Sequence, residues 1–175
     1  MSMDPQEAFQ YCPRCQAALN KQKPRKAVCP KCAWTYYFNP IPCNGVIITN
    51  DDDDILLVER KSDPFKGYWD LPGGFLELLE TVEESVIREV KEEIGVEFKV
   101  TELKLFMTSV DRYLYKGVKD YTLGLIYYAK LPEGAVIKPD DDVSAAKFFS
   151  GKDIPWDKIA FESIRNILKQ FLDKH

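Results

Sequence analysis

Histidine is nearly absent: this chain of 175 residues has one, His175, at its last position. A terminal side chain has little to hold it in place, which excludes Ser-His-Asp triads, histidine nucleophiles and two-histidine metal sites. An enzyme built on this sequence would have to move protons with carboxylates, lysine, tyrosine or a metal. No apolar run is long enough to cross a bilayer, so no membrane partner is expected. Met1 to Gln10 contains no apolar stretch of the secretory kind, so the expected setting is cytoplasmic, with reduced cysteines. Repeats and low-complexity tails are also missing, and the 11 prolines are scattered. What remains, 45% hydrophobic and 13% aromatic residues, can bury one full-sized core and one small appended module.

The small module is legible from cysteine spacing. Cys12-Pro13-Arg14-Cys15 and Cys29-Pro30-Lys31-Cys32 are two CxxC knuckles whose separation lets four thiolates close a tetrahedral zinc with no open position. Such a site is structural, and zinc binding would supply the folding free energy that so short a segment cannot draw from a core. Disulfides compete poorly with zinc in a reducing compartment. A redox motif would call for one CxxC in a βαβ context. Cys43 stands outside the pattern and reads as a small apolar residue. Lys21, Lys23, Arg25 and Lys26 read as a basic loop between the knuckles. Residues 1–42 carry six Lys/Arg against two Asp/Glu, whereas the remainder carries 18 against 26. That asymmetry admits an anionic partner, nucleic acid included, but no aromatic ladder interleaves the basic residues, so a solvated turn comes first.

The large module centres on GFLELLETVEESVIREVKEEIGV, residues 74–96. Thr81 and Glu84 form a capping-box pattern that starts a helix near residue 82, and Gly95 sits where a left-handed stop belongs. Val82, Val86, Val90 and Ile94 recur every fourth residue on a packing flank. Glu89, Glu92 and Glu93 share a neighbouring flank, where like charges repel unless a cation joins them. A hard divalent ion prefers oxygen ligands and joins a few carboxylates to substrate phosphates, so magnesium or manganese is the expected cofactor. Gly73-Gly74 lets main-chain atoms approach that cation, a glycine carbonyl included, and Arg88 can fix a carboxylate or grip a phosphate. The plainer alternative is a solvated acidic helix face.

From Gly74, five residues to Glu80, seven more to Arg88, then Glu89-Val90-Lys91-Glu92-Glu93-Ile94-Gly95-Val96, the segment resembles the Nudix box of Nudix hydrolases. Lys66 to Gly73 is similar to the family's approach to the box. The resemblance implies an α+β fold, an α/β/α sandwich on a mixed β-sheet. It also implies hydrolysis of a nucleoside diphosphate linked to another group, such as ADP-ribose or NADH. Glu89, Glu92, Glu93, Arg88 and Glu80 would be the catalytic set, and Gly73, Glu89, Glu92 and Glu93 would hold Mg2+ or Mn2+. Glu89 is the first candidate for the base, with Asp141 or Asp142 as substitutes. Leu79 stands where many members have glycine, and leucine tolerates positive φ poorly, so the loop carrying Glu77 and Glu80 is expected to be strained or reshaped.

A zinc ribbon before such a domain resembles the NADH pyrophosphatase and ADP-ribose pyrophosphatase branch of the family, and Tyr36 to Pro40 resembles its linker. The branch's SQPWPFP-type signature is absent, so NADH specificity does not carry over. The expected division is residues 1–38 for ribbon and linker and 39–175 for the hydrolase. Homodimerisation is carried by resemblance alone.

Strands are expected at 45–50, 55–60, 97–101, 103–110, 121–129 and 144–149, with a helix from Phe161 to Leu172. The loop 111–120 would bring Tyr113 and Tyr115 to the substrate, with Arg112, Glu77, Asp141 and Asp142 as further contacts. Two rival functions are a non-catalytic nucleotide sensor, which should have lost box glutamates, and an RNA 5′-end pyrophosphohydrolase, which should show more basic surface.

Overall fold

The computed structural model describes residues 2–23 and 25–175. The chain gathers into two compact units, Met1–Ile41 with Arg112–Thr122, and Pro42–Asp111 with Leu123–His175.

Strands β4 (Ile41–Thr49), β5 (Ile55–Arg60), β6 (Trp69–Asp70), β7 (Lys104–Tyr115), β8 (Val118–Lys130) and β9 (Val143–Phe149) form a six-stranded sheet, of which Ile41 and residues 112–122 are counted in the smaller unit. The order is β6-β5-β4-β8-β7, with β9 pairing antiparallel to β5 from Ile55↔Phe149 to Arg60↔Val143. Successive side chains of a strand face opposite ways, and here both faces are covered. Val46, Ile48, Leu56 and Val58 turn toward helix α2 (Val82–Ile94), whose Val86, Val90 and Ile94 are fully buried among them. Ile47, Ile55 and Leu57 turn the other way, toward Ile167, Leu168 and Phe171 of helix α3 (Glu162–Leu172). That is the expected α/β/α sandwich on a mixed sheet. Continuous apolar runs in β4 and β5 are its sequence trace, since a strand covered on both faces has no polar side to alternate. Trp69 packs edge-on against Phe149, as a fold residue should.

Three expectations are corrected. Residues 97–101 form no strand: Val96 and Phe98 are buried in the core beside α2, and a single 3-10 turn, Val100–Glu102, follows. The loop expected at 111–120 is strand on both sides of a tight turn, because Lys116 (φ +46°) and Gly117 (φ +85°) are both left-handed and close the β7–β8 hairpin in two residues. His175 is held, its ring 4.4 Å from that of Phe171.

The smaller unit has a short helix α1 (Pro5–Ala8) and an antiparallel sheet of β1 (Asn20–Lys23), β2 (Lys26–Val28) and β3 (Thr35–Tyr37). The basic loop is therefore a hairpin: Lys21 and Lys23 lie on β1, Arg25 in the turn, and Lys26 opens β2. Of the residues that resemble the linker, Tyr36 and Tyr37 lie on β3 and Phe38 packs with Phe9, Trp34 and the cysteines. Among the described residues, only Cys12, Leu19, Ala27 and Cys29 are buried in this cluster, too little apolar surface to hold a fold unaided.

Candidate active site and metal centres

Both CxxC knuckles end on a left-handed residue, Gln16 (φ +58°) and Ala33 (φ +59°). Each of these residues donates its N–H back to the first cysteine carbonyl of its knuckle, Gln16 to Cys12 at 2.8 Å and Ala33 to Cys29 at 3.0 Å. The two turns aim four thiols at one point: all Sγ atoms lie within 4.8 Å of one another, with Cys12–Cys32 at 3.7 Å and Cys15–Cys29 at 3.4 Å. A tetrahedral zinc with bonds of about 2.3 Å needs sulfurs roughly 3.8 Å apart, so the donor set fits that ion. Burial opposes ionisation of Cys29, but the N–H groups of Cys32 and Lys31 and the neighbouring thiols outweigh it and pull it down to about 6. Cys43 is half-buried outside this set.

The glutamate helix starts and stops as its sequence dictates. Thr81 Oγ1 accepts from the Glu84 N–H at 3.2 Å, Glu84 answers to the Thr81 N–H at 2.7 Å, and Gly95 closes the end at φ +72°. Arg88 is the hub of its charged flank. Its guanidinium forks onto Glu80 (Nη2 to Oε1 2.8 Å, Nε to Oε2 3.1 Å) and donates through Nη1 to Glu89 at 2.9 Å and Glu92 at 3.0 Å. These bonds hold Glu80 down at about 2, chiefly through Arg88, while Arg88 itself is kept more firmly protonated than usual.

Glu89 and Glu93 turn away from the helix onto the double glycine. Glu93, only 5% exposed, accepts the Gly73 N–H at 2.9 Å. A Cβ on Gly73 (φ +142°) would lie 2.5 Å from the Asn44 carbonyl oxygen, so only glycine fits there, and one on Gly74 would lie 2.5 Å from Glu89 Oε1 and push that carboxylate aside. Burial raises the carboxyl of Glu93 to about 9, with Asp142, Glu89 and Asp70 adding repulsion; burial also raises Glu89, against the pull of Arg88. Among the described residues, only the four cysteines bring three or more such ligand atoms within 4.8 Å of one another. Glu89 and Glu92 share Arg88 Nη1, whereas Glu93 is held by the Gly73 N–H. Carboxylates, the bare glycine turn and a buried amide oxygen beside it, Asn44 Oδ1, still form an oxygen-rich donor set that suits a hard divalent ion.

Asp141 lines an open cleft of about 850 Å³ together with Glu84, Arg88, Glu92 and Asp140. Residues 138–140 are tied to the end of α2 through Lys138 N–H to the Ile94 carbonyl and Asp140 N–H to the Glu93 carbonyl. Glu77 is exposed, its N–H on Glu80 at 2.6 Å. Arg112, Tyr113 and Tyr115 belong to the smaller unit, on β7, with the two tyrosine rings 6.4 Å apart. Sequence reasoning missed Asn44, Ser85 and the Arg60–Asp70 pair at 3.0 Å, in which burial, opposed by Arg60, lifts Asp70 to about 6. The available signals were a lone amide in an apolar strand and a serine one turn before Arg88.

A family model described as the NUDIX domain matches residues 41–171. The chain belongs to the Nudix family. The chain is 37% identical over 137 residues to an ADP-ribose pyrophosphatase of Methanocaldococcus jannaschii, covering 78% of this chain and 75% of that protein. It is 27% identical over 150 residues to an NAD-capped RNA hydrolase, NudC, of Pseudomonas aeruginosa, covering 83% of this chain but 49% of the relative. The chain thus spans about half the length of that second relative. Among solved structures, a Nudix hydrolase from Nitrosomonas europaea superposes with a TM-score of 0.74 at 25% identity, over 95% of this chain and 92% of that one. A bifunctional NMN adenylyltransferase/ADP ribose pyrophosphatase from Francisella tularensis, complexed with AMP and manganese, does so at 0.63 and 27%, over 79% of this chain and 42% of that one.

Two features of the Nudix box carry predictions of their own. Leu79 stands at φ +69° with its side chain fully exposed, so the loop has kept a glycine-type conformation at a leucine. Left-handed leucine costs about 1–2 kcal/mol, and glycine returns part of that as unfolded-chain entropy. Leu79→Gly is therefore expected to stabilise the domain by up to about 1 kcal/mol, or roughly 2–4 °C in thermal midpoint; a lower midpoint would contradict strain at this position.

Glu93 holds its proton to about 9 in the native state against 4.5 ordinarily. The stability that proton supplies is complete below pH 4.5 and is lost as pH rises through 9. In chelated protein, stability should therefore fall across that interval. Glu93→Gln should flatten the fall, gaining on the order of 2 kcal/mol over the parent near pH 8 and nothing near pH 4. Parallel melting curves for the two proteins across pH would refute the assignment.

Proposed function

We propose that this pyrophosphatase of the Nudix family cleaves the diphosphate bond of a nucleoside diphosphate joined to another group, with ADP-ribose or NADH as model substrates. The observation that carries the reading is the closure of Glu89 and Glu93 onto Gly73-Gly74, with Arg88 bracing Glu80, Glu89 and Glu92 behind them. Glu89, Glu92 and Glu93, with the Gly73 carbonyl, would hold Mg2+ or Mn2+; bound there, the ion would neutralise the diphosphate and make a water easier to ionise.

The chain's own groups do the rest. Burial has raised the affinity of Glu89 for a proton, the direction a general base for the attacking water needs. Asp142, whose charge acts on both Glu89 and Glu93, is the alternative base, with Asp141 beside it at the cleft. Arg88 sets the carboxylate positions and is itself held by the Glu80 fork, so Glu80 contributes by orientation. Glu77 and the 141–142 pair are the proposed substrate-side groups.

Residues 1–38 are proposed as a structural zinc ribbon and 39–175 as the catalytic part, in a cytoplasmic homodimer as in the family at large. NudC relatives named as NAD-capped RNA hydrolases favour a second reading, action on RNA 5′ ends. A panel of ADP-ribose, NADH, NAD, FAD, a dinucleoside polyphosphate and NAD-capped RNA, with Mg2+ or Mn2+ added, separates the two. Turnover is expected to be greatest on a small ADP-ribose or NADH-type compound. Preference for the capped RNA would replace the first reading with the second, and turnover of none of them would end both.

A further inference from the structure

Asn44 is a polar residue inside an apolar strand, 7% exposed on β4. Its Nδ2 donates to Ser85 Oγ at 2.8 Å. Ser85, fully buried, also accepts from Arg88 Nη2 at 3.2 Å, and its hydroxyl helps hold the Glu80 carboxyl below its usual range. A hydroxyl oxygen has two acceptor sites, and these two donors fill them, so the amide meets Ser85 through its NH2. Its Oδ1 points the other way, over Gly73, 2.9 Å from where a Cβ of that residue would sit. This oxygen is shut off from solvent and has no partner in the protein. A buried acceptor left unmatched is destabilising, and the bond to Ser85 accounts for the NH2 of this amide but not for its oxygen. Gly73 is the residue whose N–H is held by Glu93, and the Asn44 N–H itself holds the Gly74 carbonyl at 2.8 Å.

We infer that Asn44 supplies a neutral oxygen, directly or through one water, to the divalent cation of the Gly73–Glu93 corner. The inference rests on the proposed metal site above and adds a positioning residue that the box motif does not contain. Hard cations accept amide oxygens as readily as carboxylates. A neutral donor adds no further repulsion to a corner where Glu89, Glu93 and Asp142 already push on one another. The amide also serves both sides at once: its oxygen faces the cation's corner, and its NH2 anchors Ser85 and, through it, Arg88. An aspartate could do only the first and a leucine neither.

Manganese titration of the full chain, followed by the electron paramagnetic resonance signal of free Mn2+, tests this without reference to turnover. Asn44→Leu is expected to weaken Mn2+ binding roughly 10–100-fold, the range for loss of a supporting metal contact. Asn44→Asp, which keeps an oxygen toward Gly73 but gives up the bond to Ser85, should bind at least as tightly as the parent. Ser85→Ala, which removes the donor-side partner and leaves the Asn44 oxygen in place, should lose less Mn2+ affinity than Asn44→Leu. Unchanged binding in Asn44→Leu overturns the inference, as do equal losses in the aspartate and leucine variants, which would leave the amide a strut beside a trapped water. Should the leucine variant not fold, weaker binding by Asn44→Asp than by Ser85→Ala overturns it instead. A parent protein that binds no Mn2+ sinks the proposed metal site itself, whereas loss in a Glu93→Gln control beside an unaffected Asn44→Leu sinks only this inference.

Discussion

Joint replacement of Glu92 and Glu93 by glutamine is expected to lower kcat/KM on the best substrate roughly 1000-fold or more, a loss of about 4 kcal/mol in transition-state stabilisation. Both changes conserve volume and leave an amide oxygen, so Gly73 keeps an acceptor for its N–H and the helix keeps its packing flank. What is lost, on the proposed reading, is two carboxylates that would hold the cation. Because Glu92 is half exposed and already bonded to Arg88, whereas Glu93 is buried, the single changes should be unequal, with Glu93→Gln the more damaging. Circular dichroism and a thermal midpoint no lower than the parent's would show that the fold survives. Turnover by the double variant within about tenfold of the parent would remove the box carboxylates from the mechanism, since single preorganised contacts already account for 100-fold effects or more.

Removal of zinc is the second large effect. Elemental analysis of protein purified without chelators should give one equivalent of zinc, and stripping it should unfold the β1–β3 sheet and expose Trp34, which packs against the cysteine cluster. Structural zinc sites bind with about 10–16 kcal/mol near neutral pH, far more than a cluster of four buried residues can replace. Cys29→Ser should behave like the stripped protein, with Trp34 fluorescence shifted to longer wavelength. Metal-free protein with an unaltered tryptophan spectrum would mean that the aromatic cluster of Phe9, Trp34, Tyr36 and Phe38 holds this unit by itself.

How far apart interacting residues lie decides what can be read along the chain. The capping box of Thr81 and Glu84, the Gly95 stop and the apolar flank of α2 are local, set by neighbours within one or two turns, and all are legible in the sequence. The knuckles were readable for a similar reason: each CxxC turn closes within five residues, and only their convergence is long-range. Leu79 is a sharper case, because a missing glycine in the box predicted strain at one residue and its φ of +69° shows the loop holding its shape despite the side chain. Readings failed where strand and loop depend on a partner. Residues 97–101 alternate as a strand would but find the core beside α2 instead of an open sheet edge, and the 111–120 segment became a hairpin because Lys116 accepts a left-handed backbone beside Gly117.

By itself, the sequence determined the helix that carries Glu89, Glu92 and Glu93, the glycine pair ahead of it, the four zinc-type cysteines and the two-faced apolar strands, because each follows from spacing along the chain. Tertiary structure alone decided that Arg88 spans Glu80, Glu89 and Glu92, that Glu93 is buried against Gly73 with its carboxyl lifted to about 9, and that an amide 41 residues from Ser85 completes the network. Charge state, burial and bonding partner are properties of a place in the fold, and residues so distant in the chain acquire them only when the sheet and α2 close on each other.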